Sequence, residues 1–131
     1  MRTMFLLLSA LCVLHSPLHA EDKPDPRENL DTTIAEMTRL LEKKDYETLL
    51  RKFVAPRDLE QITTKLPFPD FAKSFGENKT ATLLKVLAAV KETTPTLSDD
   101  KSLATFKLKE EIDGKRDIKF QKVDKFWYIK N

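Results

Sequence analysis

The side chains of this chain that could perform acid–base chemistry are its carboxylates and its tyrosines. Glu110, Glu111 and Asp113 lie close together in the sequence, and paired carboxylates are common general acids and bases. Adjacent residues of a strand point to opposite faces, however, and this stretch leads into an exposed turn where burial would raise no pKa. We therefore expect all three carboxylates to be solvated.

The other candidate sites are disfavoured by their spacing. Tyr46 falls at a helical spacing that makes it an amphipathic core residue, and Asp117 should point outward by strand alternation. Ser98, Asp99 and Asp100 offer oxygens to a hard cation. Calcium needs about six to eight oxygens from a suitable loop, and this stretch lacks that spacing. The sequence therefore predicts no catalytic residue, no metal site and no cofactor.

Residues 1–20 resemble a secretory signal peptide. A basic residue precedes an apolar run over residues 4–14, the helix breaker Pro17 follows, and small Ala20 stands before a charged pair. The apolar run is too short to cross a bilayer, which takes about 20 residues. We predict cleavage after Ala20, an extracytoplasmic location in the periplasm or outside the cell, and no membrane span.

Cleavage at that position removes several reactive side chains from the mature protein. Cys12, His15 and His19 are the only cysteine and histidines of the chain. Without them the mature protein has no disulfide, no thiol nucleophile and no Ser–His or Cys–His pair, and it lacks the usual zinc and copper ligands. The only glycines, Gly76 and Gly114, exclude a glycine-rich phosphate loop.

The charge of the mature chain is unevenly distributed. Residues 101–131 hold nine Lys and Arg against five Asp and Glu, whereas residues 21–100 are net acidic. A basic stretch without a nucleic-acid recognition motif is typical of a solvated sheet face, so we do not expect a nucleic-acid partner. We expect an unknown protein or a small ligand instead.

Hydrophobic spacing predicts a series of helices in the first part of the mature chain. Asp25, Pro26 and Glu28 match a capping box that starts the first helix. Asp45 restarts the chain as the cap of a second helix, and Gly76 should stop a fourth. The predicted helices are 26–44, 46–55, 58–64, 70–75 and 80–92.

Asn78 and the two residues after it match the acceptor pattern for N-glycosylation. A eukaryotic secreted protein would use this pattern. The same residues fit the start of a helix that is capped by Asn78 or Thr80. We favour the helix start.

After a polar loop at residues 93–101, hydrophobic residues no longer recur at helical spacing but at every second position. Alternation predicts three strands, at 104–109, 118–121 and 126–130, joined as an antiparallel meander. The expected fold class is α+β, with N-terminal helices packed on one face of a C-terminal three-stranded meander. A signal peptide at 1–20 and a polar leader at 21–27 precede one domain at 28–131.

The loops of the meander define its expected register. A three-residue loop at 112–114 places Gly114 at a left-handed position and pairs Phe106 with Phe120. A two-residue turn at 124–125 pairs Phe120 with Ile129. The core face that results consists of Ala104, Phe106, Leu108, Ile118, Phe120, Trp127 and Ile129.

The opposite, outer face carries an apolar stripe at one edge. Val123, Phe126 and Tyr128 form this stripe, and Lys119 is one of the lysines that border it. Apolar side chains grouped on a surface often mark a contact site. We interpret the stripe as a binding surface for a partner or for a second copy of the chain. The alternative is that lysine stems or the leader segment cover it.

Two stretches resemble small secreted bacterial proteins of the nuclear-transport-factor-two-like (cystatin-like) superfamily. These are LLEKKDYETLLRKFVAP at 40–56 and IKFQKVDKFWYIKN at 118–131. The resemblance implies helices followed by a curved sheet around a conical cavity, which holds a ligand or catalytic groups in some members. With three strands instead of the usual four or more, and with residues 58–92 predicted as helix, the cavity should be small or filled. Lys44 also departs from the family pattern, since glycine is frequent at that position.

Two functions from different classes follow from these observations. The first is a secreted or periplasmic binding module without catalytic activity, which contacts its partner through the outer sheet face. The alternative is a small enzyme that uses a carboxylate or a tyrosine as acid or base in a cavity. The enzyme needs an ionisable group that points into an open pocket.

Overall fold

The first structured element is a capped turn at the N-terminal end. The carboxylate of Asp25 accepts a hydrogen bond from the backbone N–H of Arg27, and the carboxylate of Glu28 accepts one from the backbone N–H of Asp25. The predicted capping box is therefore confirmed. It closes a 3-10 turn rather than a long helix, because Asn29 adopts an extended conformation and caps the first α-helix itself.

The computed structural model describes residues 23–130 and is of the α+β class. Five α-helices precede a four-stranded antiparallel sheet with strand order β1-β2-β3-β4. The predicted signal peptide lies outside the described residues. The helices are α1 Leu30–Glu42, α2 Tyr46–Phe53, α3 Pro56–Lys65, α4 Phe68–Asn78 and α5 Thr80–Val90. The strands are β1 Thr96–Leu97, β2 Leu103–Ile112, β3 Lys115–Val123 and β4 Phe126–Lys130.

The break between α1 and α2 follows the predicted chemistry. Lys44 takes a left-handed conformation with φ 61°, which lets the chain reverse. Asp45 then caps α2, since its carboxylate accepts from the backbone N–H of Thr48 at 3.3 Å. The residue at the left-handed position is usually glycine or asparagine, so this lysine carries some backbone strain.

Helix α4 is longer than predicted because Gly76 lies inside it rather than at its end. The ring of Tyr46 explains why position 76 is a glycine. A Cβ at position 76 would lie 2.6 Å from two ring carbons of Tyr46. Asn78 is the last residue of α4, and the cap of α5 is Lys79, which makes no side-chain capping bond. The expected cap at Asn78 or Thr80 is therefore wrong.

Replacing Gly76 with alanine should lower the free energy of unfolding by about 1–3 kcal/mol, because the new methyl group overlaps the Tyr46 ring. That ring also packs edge-on against Phe75 with centroids 6.1 Å apart, a contact that it would lose by moving away from position 76. Urea unfolding measures the change. Ser74→Ala on the exposed face of the same helix is the control. Stabilisation of Gly76→Ala by the higher helix propensity of alanine would contradict the close contact.

The sheet has one more strand than predicted, since β1 lies inside the expected polar loop. Thr96 pairs with Thr105, and Leu97 pairs with Ala104. A strand of two residues is too short to show alternation, which is why the sequence pattern did not indicate it.

The predicted register between β2 and β3 is wrong by two residues. Phe106 faces Ile118, and Ala104 faces Phe120. The turn contains only Asp113 and Gly114, with φ 50° and 87°, as a tight two-residue hairpin requires. The extra residues form an irregularity between Lys107 and Ile112. Because the shift is even, the side chains of the paired residues from 103 to 107 stay on their predicted faces.

The register between β3 and β4 is as predicted. Phe120 pairs with Ile129, and Lys122 pairs with Trp127. Phe120 is fully buried in the third strand of the sheet, and its ring packs edge-on against Phe106 with centroids 5.9 Å apart. The last hairpin therefore contributes its core face to the interior.

One apolar cluster joins the helices to the core face of the sheet. Its largest fully buried members include Met37, Phe53, Leu87 and Phe120, which come from three helices and one strand. Side chains therefore fill the space between the helices and the sheet. The buried apolar residues of the cluster are Ile34, Met37, Leu40, Leu41, Leu49, Leu50, Phe53, Ala72, Val86, Leu87, Val90, Ala104, Phe106, Ile118, Phe120 and Trp127.

The two edges of the sheet differ. Along β4, the segment after α2 forms a parallel bridge in which Val54 pairs with Ile129. Along β2, strand β1 pairs only with Ala104 and Thr105. Within the described residues, the outer side of β2 from Phe106 onward therefore has no strand partner.

Candidate functional site

The open part of the outer sheet face centres on a row of four polar side chains that crosses all four strands. Thr96 pairs with Thr105, Thr105 pairs with Lys119, and Lys119 pairs with Lys130. Directly opposed residues share a face, so these four side chains stand side by side. We call Thr96, Thr105, Lys119 and Lys130 the lysine row.

The lysine row brings two cations together. Lys119 and Lys130 are both exposed and directly opposite each other, an arrangement that destabilises a sheet by about 0.2–1 kcal/mol. Lys107 lies next to the row on β2, but Asp117 on β3 faces it and balances its charge. The positive charge of this face is therefore concentrated at Lys119 and Lys130.

Beyond the row, the apolar stripe predicted from the sequence is only partly exposed. Val123 is 41% exposed, Phe126 is half-buried, and Tyr128 is only 6% exposed. The expectation that Tyr128 is a surface residue is therefore wrong, although it does lie on the outer face, opposite Gln121. The binding role of Val123, Phe126, Tyr128 and Lys119 remains a prediction.

An N-terminal clasp, formed by residues 25–28, lies against β4 on the outer face. The guanidinium of Arg27 stacks over the ring of Phe126, with its Cζ 4.1 Å from the ring centroid. Its Nη1 also donates to the backbone carbonyl of Lys52 at 3.4 Å. The predicted leader is thus packed against the strand, and it shields the aromatic end of the stripe.

Asp25 orders the clasp from within, by bonding to Arg27. Its carboxylate accepts hydrogen bonds from the Nε and Nη2 atoms of Arg27, both at 3.0 Å. These bonds, with the charge of the guanidinium, lower the pKa of Asp25 to about 2. A lowered pKa means that the pair stabilises the fold above the ordinary pKa of Asp and weakens as the pH falls towards 2. Asp25 is therefore ionised and able to pair with Arg27 at neutral pH.

Helix α3 contacts the same end of the outer face. The carboxylate of Asp58, in its first turn, accepts from the side-chain amide of Gln121 at 3.3 Å. Gln121 neighbours Tyr128 across the strands. The outer face thus has a covered end, under the clasp and the start of α3, and an open end with the lysine row.

Comparisons of the chain with protein-family models, curated proteins and solved structures found no match. The site is therefore described by its own geometry alone.

The predicted acid–base candidates lie on the surface. Glu110, Glu111 and Asp113 are exposed, as expected. Asp113 reaches back to α5, where its carboxylate accepts from the hydroxyl of Thr82 at 2.7 Å and lies 3.6 Å from the Nζ of Lys85. These two contacts lower the pKa of Asp113. Asp113 therefore anchors the hairpin turn to a helix.

Tyr46 is partly buried against the core and lines a surface hollow. The volume of this hollow is about 470 Å³, and its wall is mostly charged and polar. A buried apolar pocket with a few convergent polar groups would be typical of a ligand site. The lining residues are Lys44, Asp45, Tyr46, Glu47, Thr48, Arg51, Pro69, Ala72 and Lys73.

The loop with candidate cation ligands is a self-contained turn. The carboxylate of Asp100 accepts from the hydroxyls of Ser98 and Ser102 at 2.8 and 2.7 Å, and these bonds lower its pKa. Among residues 23–130, no three Asp, Glu, Cys or His side chains gather as a metal site. None of the helices in this part of the chain has the length and apolar character needed to cross a bilayer.

Sequence reasoning missed two members of the lysine row, Thr96 and Thr105. Strand alternation puts Thr105 on the face opposite Ala104 and Phe106, but no feature of the sequence marks it as part of a site. Thr96 joins the row only because β1 pairs with β2. The adjacency of Lys119 and Lys130, by contrast, follows from the turn at 124–125, which the sequence indicated.

Proposed function

We propose that this protein is an extracytoplasmic binding module without catalytic activity, and that it binds its partner with the open part of the outer sheet face. The observation that carries the proposal is the direct pairing of exposed Lys119 and exposed Lys130. Like charges held side by side lower stability, so a partner that neutralises them gains binding energy there. Exposed Val123 lies at the far end of the same face, opposite Phe126.

The interior supports binding at the surface better than chemistry in a cavity. Phe53, Leu87 and Phe120 are fully buried between the helices and the sheet. The polar residue buried with them is Thr33, whose hydroxyl donates to the carbonyl of Pro26 at 3.1 Å. An acid or base needs a titratable group in an open pocket. The enzyme alternative therefore gains no support from this core.

We also propose a distant relationship to the nuclear-transport-factor-two-like superfamily. The order of helices before an antiparallel sheet supports this proposal, and so does the fourth strand. The filled interior would make this chain a member without a working cavity. Shared architecture alone says little about function, so the proposed binding role rests on the sheet face.

Lys119→Glu combined with Val123→Ser should abolish association with the partner and leave the fold intact. The charge reversal turns attraction into repulsion, and both side chains are exposed. The measurement is capture of envelope or secreted proteins by the purified 21–131 chain, with circular dichroism as the check on folding. Lys73→Glu, at an exposed position of α4, is the control for the charge reversal. Equal capture by the double variant and the wild-type chain would refute the proposal.

A second copy of the chain is a weaker candidate for the partner. A symmetric face-to-face dimer would place one lysine row against another, and four ammonium groups would repel one another. Light scattering of the purified chain tests this, because such a dimer should form only at high salt, where the repulsion is screened. A stable dimer at low salt that Lys119→Glu disrupts would favour the second copy.

Export follows from the predicted signal peptide and is testable separately. The full-length chain should be cut after Ala20, so that the mature protein begins at Glu21 and is recovered outside the cytoplasm. Mass spectrometry of the purified product measures the mass and therefore the cut. Ala20→Arg should block cleavage, because the peptidase requires a small residue there. An uncut cytoplasmic product from the natural sequence would contradict the extracytoplasmic location.

A further inference from the structure

The lysine row has the donors and the dimensions to bind a short anionic chain. It presents two hydroxyls and two ammonium groups, one from each strand. Neighbouring strands lie about 4.8 Å apart, so the row extends over roughly 14 Å. Thr96, Lys119 and Lys130 are exposed, and Thr105 is partly exposed. A ligand that lay across the strands would meet all four side chains.

The charges beside the row favour an anion at Lys119 and Lys130 in particular. Asp117 faces Lys107 in the adjacent row, so that pair is already balanced. On the other side, Gln121 is hydrogen-bonded to Asp58. The unbalanced charge is therefore a narrow band across the sheet, not a broad basic surface.

The shape of the outer face distinguishes between two kinds of anionic partner, a flat bilayer surface and an extended chain. The clasp stands over Phe126, and the first turn of α3 meets Gln121, on the strands that also carry Lys119 and Lys130. A helix with its side chains is about 10 Å across. A flat surface such as a bilayer would meet these elements before it reached the row. An extended chain could lie on the open sheet beside them.

We propose that the lysine row binds an extended, carboxylate-rich segment of a protein. This inference rests on the proposed function, because it names the partner class of the same face. Glutamate or aspartate side chains pair with Lys119 and Lys130, and the hydroxyls of Thr96 and Thr105 donate to further carboxylate oxygens. In an extended segment, alternate side chains point to one side, so every second residue can face the sheet.

The test uses a fluorescent octaglutamate peptide and the purified 21–131 chain, with anisotropy as the readout. The peptide should bind at low salt, and its affinity should fall steeply as the salt concentration rises. Lys119→Glu with Lys130→Glu should weaken binding about tenfold or more, since two attractive contacts become repulsive. Thr105→Val, which keeps the shape and removes a hydroxyl, should weaken it about threefold. The control is Lys65→Glu with Lys73→Glu, which has the same net charge as the Lys119→Glu, Lys130→Glu variant.

Four outcomes overturn the proposal. These are no peptide binding, equal loss in the control variant, no effect of Thr105→Val, and tighter binding to phosphatidylglycerol vesicles than to the peptide. If the peptide fails to bind but Lys119→Glu still abolishes capture of the natural partner, the proposed function stands and the acidic segment is refuted. If capture is also unaffected, both are refuted.

Discussion

Replacing Phe120 with alanine should lower the free energy of unfolding by about 3–5 kcal/mol, which is the range for truncating a buried aromatic residue. Its ring is 0% exposed. It lies between Ala104 and Ile129 across the strands and packs edge-on against Phe106. The cavity would open at the centre of the sheet, where the surrounding backbone is hydrogen-bonded on both sides and cannot collapse easily.

Denaturant unfolding with a matched series measures this loss. Phe120→Leu keeps most of the apolar volume and should cost about 1–2 kcal/mol. Phe126→Ala removes the same ring from the half-buried outer face and should cost less than Phe120→Ala. If Phe126→Ala proves the more damaging of the two, the assignment of the core face is reversed.

Replacing Tyr128 with serine should destabilise the protein by about 3 kcal/mol, although this residue lies on the outer face. The ring is only 6% exposed, beneath the clasp and near the first turn of α3. Its truncation would remove apolar contacts from a site that cannot refill. An exposed tyrosine would instead tolerate the change within about 0.5 kcal/mol.

Two further variants distinguish the stability contributed by the Tyr128 ring from that of its hydroxyl and from that of the clasp. Tyr128→Phe keeps the ring and should cost less than Tyr128→Ser. Arg27→Ala removes the stacking on Phe126 and should reduce the cost of Tyr128→Ser, because the clasp then no longer covers the ring. A double-mutant cycle measures this coupling. Strictly additive losses would mean that the clasp and Tyr128 stabilise the fold independently.

Local patterns in the sequence identified the faces of the elements better than their pairing. Alternation placed Phe106 and Phe120 on the core face, which is correct, but it cannot distinguish registers that differ by two residues. The hairpin turn was the deciding feature, and Asp113 in a left-handed conformation made it one residue shorter than expected. Where the turn was read correctly, at 124–125, the register was correct as well.

The remaining errors come from contacts between residues that are distant in sequence. Gly76 looked like a helix stop, but it is needed inside α4 because the Tyr46 ring lies against it. Tyr128 looked exposed, but the segment around Arg27 folds back over its strand. No local pattern contains such information. For the same reason the candidate site was predicted only in part: Lys119 and Val123 are exposed as expected, and Thr96 was missed.

The two edges of the sheet differ, and this difference limits how copies of this protein can associate by strand pairing. Val54 bridges the β4 edge, whereas β2 is open beyond Thr105. Open edges are templates for strand pairing between molecules. Two copies that joined through β2 would each use their open edge, and a third copy would find no edge of the same kind. Strand pairing that uses the β2 edge alone therefore ends at a pair.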